Sequence, residues 1–394
     1  MRLAKYKECT ACSACVDRCS HNALALFIDQ HGYYAIKADV NRCVECGACS
    51  KVCPVIRNKK EKESRQSSND AFACWSVDCQ LRKMAASGGA FIALASEVLS
   101  QGGIVYGAST EGFRVRHIRI SDKSELYRIA GSKYQHSEMS GVYQQIQKDL
   151  KDGKTVLFGG LSCQVSALKS FINPNIAQRL FTVDTICGGI STIAPMLAIQ
   201  DSGQYKGICS FRDKTEGWKS KNFKYSLKLY KHDGYVEDLG LDNMVLKSFC
   251  NPILKRSSCL DCKFNGMNRD SDCTIGDYWG DVRFPEEHHE GLSVLIKHND
   301  RLNEIIGASS LHIESTSLAD IIRHNNNYYW THYPFIRRSR LRIRILRAFE
   351  LHDYSLAESI MAHPSFFDRL FLKVHYWLNS KQKQEYTKHF IQEK

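Results

Sequence analysis

Two cysteine runs of identical spacing near the N-terminus limit, more than any other feature, what this chain can fold into. The first is Cys9-x2-Cys12-x2-Cys15-x3-Cys19, and the second is Cys43-x2-Cys46-x2-Cys49-x3-Cys53. Such gaps let a turning backbone aim three soft thiolates at one cuboidal 4Fe-4S cluster. In duplicated runs of this kind the fourth cysteine ligates the other cluster, so we expect Cys53 to complete the first set and Cys19 the second.

The alternative interpretation of these runs is a pair of structural zinc sites. Zinc motifs usually combine two separate Cys-x2-Cys knuckles, whereas each run here holds four cysteines. Ser20 stands where the pattern usually has proline, as Pro54 does after the second run, and this loosens the turn without removing a ligand. The sequence therefore predicts two 4Fe-4S clusters in a ferredoxin-like module that passes electrons one at a time.

The composition favours a reducing compartment for these cysteines. The chain has 17 cysteines, and its first residues are polar rather than the apolar stretch of a secretion signal. No run of about 18 apolar residues is present, and we predict a cytoplasmic protein without a membrane span. The formal net charge of +12 favours an acidic partner, an anionic cofactor or an anionic surface. Because no nucleic-acid motif is present, we expect no nucleic-acid partner.

Changes in composition divide the chain into four parts. We predict a ferredoxin-like module at 1–56, a solvated linker at 57–70, a mixed α/β domain at 71–330 and a basic helical segment at 331–394. The fold class thus combines α+β and α/β features, with a partly parallel sheet in the larger domain.

Hydrophobic periodicity gives the main elements of the larger domain. Helices are predicted at 87–100, 140–151 and 162–172, strands at 103–108, 155–158 and 180–186, and a hairpin at 222–238.

A sparser cysteine set lies in the α/β part: Cys163, Cys187, Cys259 and Cys262. Cys163 and Cys187 each follow a predicted strand, and the ends of neighbouring parallel strands lie on one edge of a sheet. We expect the start of a helix at Cys163 to lower its thiol pKa, which suits a ligand. With the chelating pair Cys259-x2-Cys262, these are enough ligands for a third cluster, although Cys163 and Cys187 could instead be buried structural residues. The remaining cysteines, Cys74, Cys79, Cys209, Cys250 and Cys273, are interpreted as structural.

Several short motifs between residues 85 and 295 together resemble the beta-subunit family of coenzyme F420 hydrogenases and dehydrogenases. The matching segments are 87–89 (SGG), 131–137 (GSKYQHS), 158–164, 187–189 (CGG), 211–214 (FRDK) with Gly217 and Trp218, and 259–280. The family also includes ferredoxin-dependent flavin reductases and homologues in bacterial polysaccharide gene clusters, and an N-terminal dicluster module is common in it. Three positions depart from the family pattern: Ser162 replaces proline, Gly188 replaces histidine, and Cys273 replaces an apolar residue and becomes an alternative ligand.

The resemblance implies an FAD site and a 4Fe-4S cluster in the α/β domain. The residues that it implies for the cofactor are Ser87, Gly88, Gly89, Ser132, Lys133, Tyr134, Arg212, Lys214 and Trp218. A glycine turn at a helix start offers amides to a diphosphate, cations suit phosphate or a reduced flavin, and Tyr134 and Trp218 could flank the ring. Considered without the resemblance, the same residues are a helix cap, surface cations and core aromatics.

We therefore predict an iron–sulfur flavoprotein oxidoreductase that moves electrons between ferredoxin, or a similar carrier, and an organic two-electron substrate. The substrate could be F420 or a metabolite such as a sugar intermediate of cell-surface polysaccharide assembly. We favour the metabolite, because the bacterial branch of the family with this dicluster module is broad and mostly outside F420 metabolism. The alternative is a non-catalytic electron-transfer subunit of a larger redox complex. The sequence assigns no catalytic residue.

The C-terminal segment lies outside the resemblance. Residues 337–347 contain six arginines and no acid, and residues 366–378 are aromatic and aliphatic at helical spacing. Such a segment could pack on the α/β domain, dock an acidic ferredoxin, or make peripheral contact with an anionic membrane.

Overall fold

The computed structural model of the protein describes residues 2–58, 70–218, 224–328 and 333–392. Most of the predicted linker, residues 59–69, and the first two residues of the predicted hairpin lie outside the described residues. Among the described helices, none combines the length and hydropathy needed to cross a bilayer.

The strands and helices alternate through the middle of the chain, and helices follow at its C-terminal end. In chain order the strands are β1 Leu24–Ile28, β2 Tyr34–Ala38, β3 Asp70–Ser76, β4 Ile104–Glu111, β5 Arg114–Ile120, β6 Ser137–Glu138, β7 Val156–Leu161, β8 Leu180–Thr185, β9 Tyr205–Asp213, β10 Lys224–Lys231, β11 Val236–Asp238, β12 Cys273–Asp277, β13 Ser293–Lys297 and β14 Leu311–Thr316. The helices are α1 Ala14–Asp17, α2 Ala48–Lys51, α3 Pro54–Asn58, α4 Cys79–Met84, α5 Ala90–Ser100, α6 Leu126–Ile129, α7 Val142–Lys151, α8 Ser162–Phe171, α9 Ala194–Asp201, α10 Met244–Cys250, α11 Asn303–Ala308, α12 Leu318–His324, α13 Arg340–Glu350, α14 Tyr354–Ala362 and α15 Phe366–Gln392.

A mixed sheet organises the larger part of the molecule. Within the described residues it has nine strands in the order β14-β3-β13-β12-β8-β7-β4-β5-β6. Its central strands β12, β8, β7 and β4 run parallel to one another, and most of the outer pairs are antiparallel. The predicted mixed α/β fold with a partly parallel sheet is therefore confirmed.

Two smaller sheets accompany the mixed sheet. Strands β1 and β2 form an antiparallel pair between the two cysteine runs, and β9, β10 and β11 form an antiparallel sheet. The predicted hairpin is present as β10 and β11, joined through the turn at Gly234. Most predicted element boundaries differ from the observed ones by up to three residues. The helix predicted from Ser87 begins at Ala90, because Gly89 adopts a left-handed conformation, with φ of 89°, at the helix N-cap.

The hydrophobic core lies against the parallel strands. Helix α5 buries its apolar residues against the strands, as Leu94, Val98 and Leu157 show. Helices α7 and α8 pack in a second cluster that also contains Cys12 and Ala14 from the first cysteine run. The ferredoxin-like module is thus held against α7 and α8 by apolar packing.

The C-terminal helices also contribute to packing. Helix α13 buries Leu341, Ile345 and Phe349 in a cluster with Leu254 and Leu260. One of its arginines, Arg342, is buried and donates to the backbone oxygen of Ile253. The apolar side of α13 therefore packs against the rest of the protein.

Candidate functional site

The first cysteine run forms a loop with unusual backbone geometry. Ala11 and Ser13 have left-handed φ values of 52° and 66°, although neither is glycine. The turn brings the Ala11 N–H to 3.4 Å from the Cys9 sulfur, and α1 begins directly after Ser13. Amides directed at a sulfur stabilise its thiolate form, as a ligand site requires.

The second run has left-handed residues at the equivalent positions. Glu45 and Gly47 stand where Ala11 and Ser13 stand in the first run, and their φ values are 53° and 73°. A short helix, α2, again begins after the second left-handed residue. The repeated spacing of the sequence has therefore produced a repeated loop, here called the outer loop (residues 43–49) to distinguish it from the inner loop (residues 9–15).

The last cysteine of the second run lies with the inner loop. Burial raises the pKa of the Cys12 thiol to about 12, and the nearby Cys9 and Cys53 thiols add to the rise. Cys15 interacts electrostatically with Cys9, Cys12 and Cys53. This proximity is what crossed ligation needs for the first set. For Cys19, the structure shows a 3.3 Å hydrogen bond from the Ala23 N–H to its sulfur, and its place in the second set stays a prediction.

The two loops differ in their surroundings. In the inner loop Cys12 is buried, and the Tyr143 hydroxyl donates to the Cys12 carbonyl at 2.7 Å. Asp17, at the end of α1, accepts hydrogen bonds from the Gly141 and Tyr143 amides at 2.7 and 3.2 Å. In the outer loop Cys46 is exposed to solvent. The inner loop is therefore part of the interior, and the outer loop is at the surface.

The sparser cysteines gather at the edge of the mixed sheet. Cys163 lies in the first turn of α8, directly after β7, and Cys187 follows β8, the parallel neighbour of β7. Cys163 interacts electrostatically with Cys187, Cys259 and Cys262. The predicted meeting of two strand ends is therefore observed, and the loop between α10 and β12 brings the other two thiols to the same place. We call Cys163, Cys187, Cys259 and Cys262 the edge set.

Backbone amides also point at sulfurs of the edge set. The Gly189 N–H lies 3.3 Å from the Cys187 sulfur, and the Phe264 N–H lies 3.4 Å from the Cys262 sulfur. Burial raises the pKa of the Cys163 thiol well above its ordinary value, so the expected lowering by the helix start is wrong. Burial penalises the charged thiolate more than the helix dipole favours it.

Cys273, the alternative ligand, lies elsewhere. It is fully buried in β12, where its backbone pairs with Val183 and Lys297. The groups that influence its thiol are Asp184, Asp272 and Cys74, and Cys74 is itself a core residue. Cys273 is thus placed with the core rather than with the edge set.

Two glycines and a lysine shape the edge set. A Cβ atom at Gly188 would lie 3.2 Å from the Lys255 Nζ and 2.8 Å from the Asn327 amide nitrogen, and one at Gly189 would lie 2.9 Å from the Cys259 Cβ. The Lys255 ammonium donates to the Gly188 carbonyl and interacts electrostatically with Cys187 and Cys259. The two glycines after Cys187 therefore leave room for a half-buried cation beside the thiols.

The inner loop and the edge set are neighbours. Cys163 interacts electrostatically with Cys12, and both thiols contribute to the raised pKa of the Tyr143 hydroxyl.

Within the parts of the chain that the structure describes, no group of three His, Cys, Asp or Glu side chains is arranged to hold a single metal ion. A 4Fe-4S cube takes its four thiolates on four different irons.

A cavity of about 640 Å³ opens beside the small antiparallel sheet. It lies between the β4–β5 turn, the segment at 127–133 and the strands β9 and β10. Of the residues predicted to bind a cofactor, Ser132, Lys133 and Arg212 line it. The volume is within the range of about 300–1,000 Å³ that ligand sites have.

The lining of the cavity is basic. Burial lowers the pKa of Lys133 to about 7, and its ammonium donates to the backbone oxygens of Ala130 and Gly131. Arg212 forms two hydrogen bonds of 3.0 and 3.1 Å to the Asp277 carboxylate. Sequence reasoning missed the further cations Arg128, Lys206 and Lys231, because single basic residues carry no motif.

A pair of aromatic rings leads from the residue after Lys133 toward the edge set. Tyr134, the residue after Lys133, stacks on Phe249 with ring centroids 4.1 Å apart. The Lys255 Nζ lies 6.0 Å from the same Phe249 ring. The cavity and the edge set are therefore linked through one stacked pair and one lysine.

The other predicted cofactor residues do not line this cavity. The Gly88 N–H donates to the Ser293 hydroxyl at 3.0 Å, so this amide is already used. Lys214 donates to the carbonyls of Arg82, Ser87 and Glu290. Trp218 is fully buried and stacks on Trp279 with ring centroids 4.8 Å apart. Cofactor binding by Ser87, Gly88, Gly89, Lys214 and Trp218 stays a prediction.

Comparisons with known proteins agree with the sequence motifs. Residues 8–56 match the family model described as a 4Fe-4S dicluster domain. Residues 71–144 and 153–319 match the models described as the N-terminal and C-terminal parts of the coenzyme F420 hydrogenase/dehydrogenase beta subunit. No curated protein sequence matches the chain.

Solved structures provide a further comparison. The chain is similar to a chain in the structure titled as the xenon derivatization of the F420-reducing [NiFe] hydrogenase complex from Methanosarcina barkeri, with 15% identity and a TM-score of 0.43, covering 75% of this chain and 91% of that chain. By its two matched family models and its dicluster match, the chain belongs to the coenzyme F420 hydrogenase/dehydrogenase beta-subunit family and carries an N-terminal 4Fe-4S dicluster domain.

Proposed function

We propose that the protein is an iron–sulfur flavoprotein oxidoreductase that exchanges single electrons with a ferredoxin-like carrier and two electrons with an organic substrate. The observation that carries the proposal is the order of the sites. The outer loop is at the surface, the inner loop is buried next to the edge set, and Lys255, Phe249 and Tyr134 connect the edge set with a basic cavity. Such an order could carry electrons between the protein surface and a ligand bound in the cavity.

The two loops and the edge set have the donors that 4Fe-4S clusters need. Cys9, Cys12, Cys15 and Cys53 would hold one cluster, Cys19, Cys43, Cys46 and Cys49 a second, and Cys163, Cys187, Cys259 and Cys262 a third. Soft thiolates and backbone N–H groups directed at sulfur fit these clusters, which supply one-electron carriers when bound. The buried inner loop would keep water away from its cluster, and the exposed outer loop suits exchange with a carrier.

Lys255 supports the assignment of the edge set. Lys255 is half-buried, and among the residues that the structure describes no carboxylate pairs with it. The groups around its ammonium are a backbone oxygen, the Phe249 ring and thiols. A cube with four thiolate ligands is an anion, so the lysine charge would be compensated by a bound cluster.

The cavity fits FAD in volume and charge. Lys133, Lys206 and Arg212 would hold the phosphates or the side of the flavin ring where negative charge develops. FAD supplies the conversion between one-electron and two-electron transfer when it is bound. The Tyr134–Phe249 stack would form the wall between this cavity and the edge set. For the substrate we retain the sequence-based prediction of a small organic metabolite, such as a sugar intermediate of polysaccharide assembly.

Cofactor content tests the proposal directly. Anaerobically purified protein should contain about twelve iron and twelve sulfide per chain, from three cubes with four of each. It should also release one non-covalent FAD per chain on heating. About eight iron would overturn the third cluster, and a protein without flavin that still reduces a dye would identify the alternative, an electron-transfer subunit without a substrate site.

Replacing Lys133 with glutamate tests the cavity. An anion at this position should weaken FAD retention by about 1–3 kcal/mol, since a charge-assisted hydrogen bond is lost. Lys154→Glu is the matched control, because Lys154 is exposed and outside the cavity. FAD titrations that are equal for the two variants would exclude Lys133 from the site.

A further inference from the structure

Helix α15 carries a continuous row of large apolar side chains on its outer side. The spacing of three or four residues places these side chains on one side of the helix. The row, here called the α15 stripe, consists of Phe366 (65% exposed), Phe367 (73%), Leu370 (46%), Val374 (45%), Trp377 (55%) and Leu378 (46%). Single exposed apolar residues are ordinary, but a contiguous row indicates an interaction surface.

The opposite side of α15 holds the helix on the protein. Tyr376 and Phe371 pack around Phe335, with ring centroids 5.5 and 6.4 Å from it. Asp368 is buried and accepts a 3.1 Å hydrogen bond from Arg344 of α13. Because these contacts fix the inner side of the helix, the α15 stripe is directed outward.

The surroundings of the α15 stripe are basic. Residues 337–383 contain ten Lys and Arg and four Asp and Glu. Arg369, Lys373 and Lys381 are exposed on α15 itself, and the Lys381 ammonium lies 3.9 Å from the centre of the Trp377 ring. Any partner must therefore accept both apolar side chains and positive charge.

We propose that α15 lies along an anionic lipid surface, with the α15 stripe in the interfacial region and the lysines and arginine at the headgroups. The combination of aromatic and aliphatic side chains with flanking cations is typical of interfacial helices. Long basic side chains can lie along the apolar row and still reach the headgroups. The charged residues within α15 fit a helix that lies in the interface plane.

A second copy of the chain fits the α15 stripe less well. Pairing two stripes would bring the cations of both copies together, and such like charges oppose association. The proposal goes beyond the redox function, since it needs neither clusters nor flavin. It places the protein at a membrane face.

Flotation with lipid vesicles tests the proposal on the full-length protein. We expect the protein to float with vesicles of phosphatidylglycerol and phosphatidylcholine at low salt, less so at moderate salt, and not with pure phosphatidylcholine. In the triple variant Phe367→Ser, Leu370→Ser, Trp377→Ser the vesicle-bound fraction should be at least about tenfold lower than in the wild type, because the apolar contribution to interfacial binding is removed. The triple variant Val77→Ser, Tyr235→Ser, Val282→Ser is the control, since it removes exposed apolar side chains elsewhere.

Two further measurements make the outcome decisive. Circular dichroism should show that both triple variants remain folded, and Trp377 emission, taken as the difference between wild type and Trp377→Phe, should shift to the blue on anionic vesicles. A wild-type protein that stays out of the anionic vesicles at both salts overturns the proposal. So does a dimer in sedimentation that the stripe variant, but not the control, abolishes.

Discussion

The inner and outer cysteine loops are two copies of one local structure in two different environments. Their left-handed residues fall at equivalent positions, and both are followed by a short helix. Yet Ala14 of the first copy is completely buried, whereas Val44 and Cys46 of the second are exposed. Spacing thus determines the shape of a ligand loop, and the packing around it determines whether it faces solvent or the interior.

This difference assigns different tasks to the two loops under the proposed function. The exposed loop suits exchange with an external carrier, and the buried loop, next to Cys163, suits transfer within the protein. Equivalent substitutions in the two loops therefore test the comparison, because they alter the same local geometry in different surroundings.

The largest difference should follow from removing one ligand in each loop. Cys12→Ser and Cys46→Ser should each lose about four iron, one cube. Cys12→Ser should in addition lower the thermal unfolding midpoint far more, because cluster binding is coupled to folding and Cys12 is part of the core with α7 and α8. Iron analysis and circular dichroism measure both effects. Equal unfolding midpoints for the two variants would contradict the distinction between the loops.

The next effect concerns the attachment of the inner loop. Asp17→Ala should lower the free energy of unfolding by about 1–3 kcal/mol, since the amides of Gly141 and Tyr143 lose their acceptor. Lys51 occupies the equivalent position after the outer loop and is exposed. We expect Lys51→Ala to change the unfolding free energy by no more than about 0.5 kcal/mol. Denaturant titrations of the two variants should separate them, and similar slopes with similar midpoints would refute an anchoring role for Asp17.

Removal of a positive charge is expected to change the redox behaviour of the edge set more than that of the outer loop. Lys255→Met should lower the reduction potential of the edge-set cluster, because a nearby cation favours the more negative, reduced cluster. We expect roughly a tenfold change in the ratio of reduced to oxidised cluster, about 59 mV for one electron.

Lys255→Arg, which keeps the charge, is the control for that measurement. Arg42→Met, beside the outer loop, should shift the outer cluster less, because Arg42 is exposed and water and salt screen its charge. Redox titrations followed by electron paramagnetic resonance give the edge-set potential in Lys255→Met and Lys255→Arg, and the outer-cluster potential in Arg42→Met. An unchanged edge-set potential in Lys255→Met, with the signal retained, would exclude the electrostatic role.

The smallest effect concerns the backbone of the two loops. Gly47→Ser should destabilise the outer loop by about 1 kcal/mol, since a left-handed conformation is unfavourable for a residue with a Cβ atom. Ser13→Gly should act in the opposite direction and less strongly, because relief of the same conformation is partly offset by the flexibility of glycine in the unfolded chain. Iron release rates and unfolding free energies measure both changes, and effects of the same sign would show that the loops are not equivalent.

Several features of the site could be predicted from the sequence because they depend on neighbouring residues. The cysteine spacing predicted ligand loops, and the strand endings before Cys163 and Cys187 predicted that these thiols would meet. Other features could not be predicted in this way. Asp17, Tyr143 and Lys255 have no motif, since their importance comes from contacts with residues more than 60 positions away.

The amino-acid sequence was sufficient to predict the duplicated loops, the neighbouring parallel strands β7 and β8, and the basic, aromatic character of the C-terminal segment. These features depend on local spacing, strand patterning and composition, which a single chain displays directly. Tertiary packing was needed to show that one loop is buried, that Lys133 and Arg212 share a cavity while Trp218 lies in the core, and that the α15 stripe faces outward. Burial is decided by packing between distant segments, because each apolar surface must compete with all others for a place in the interior.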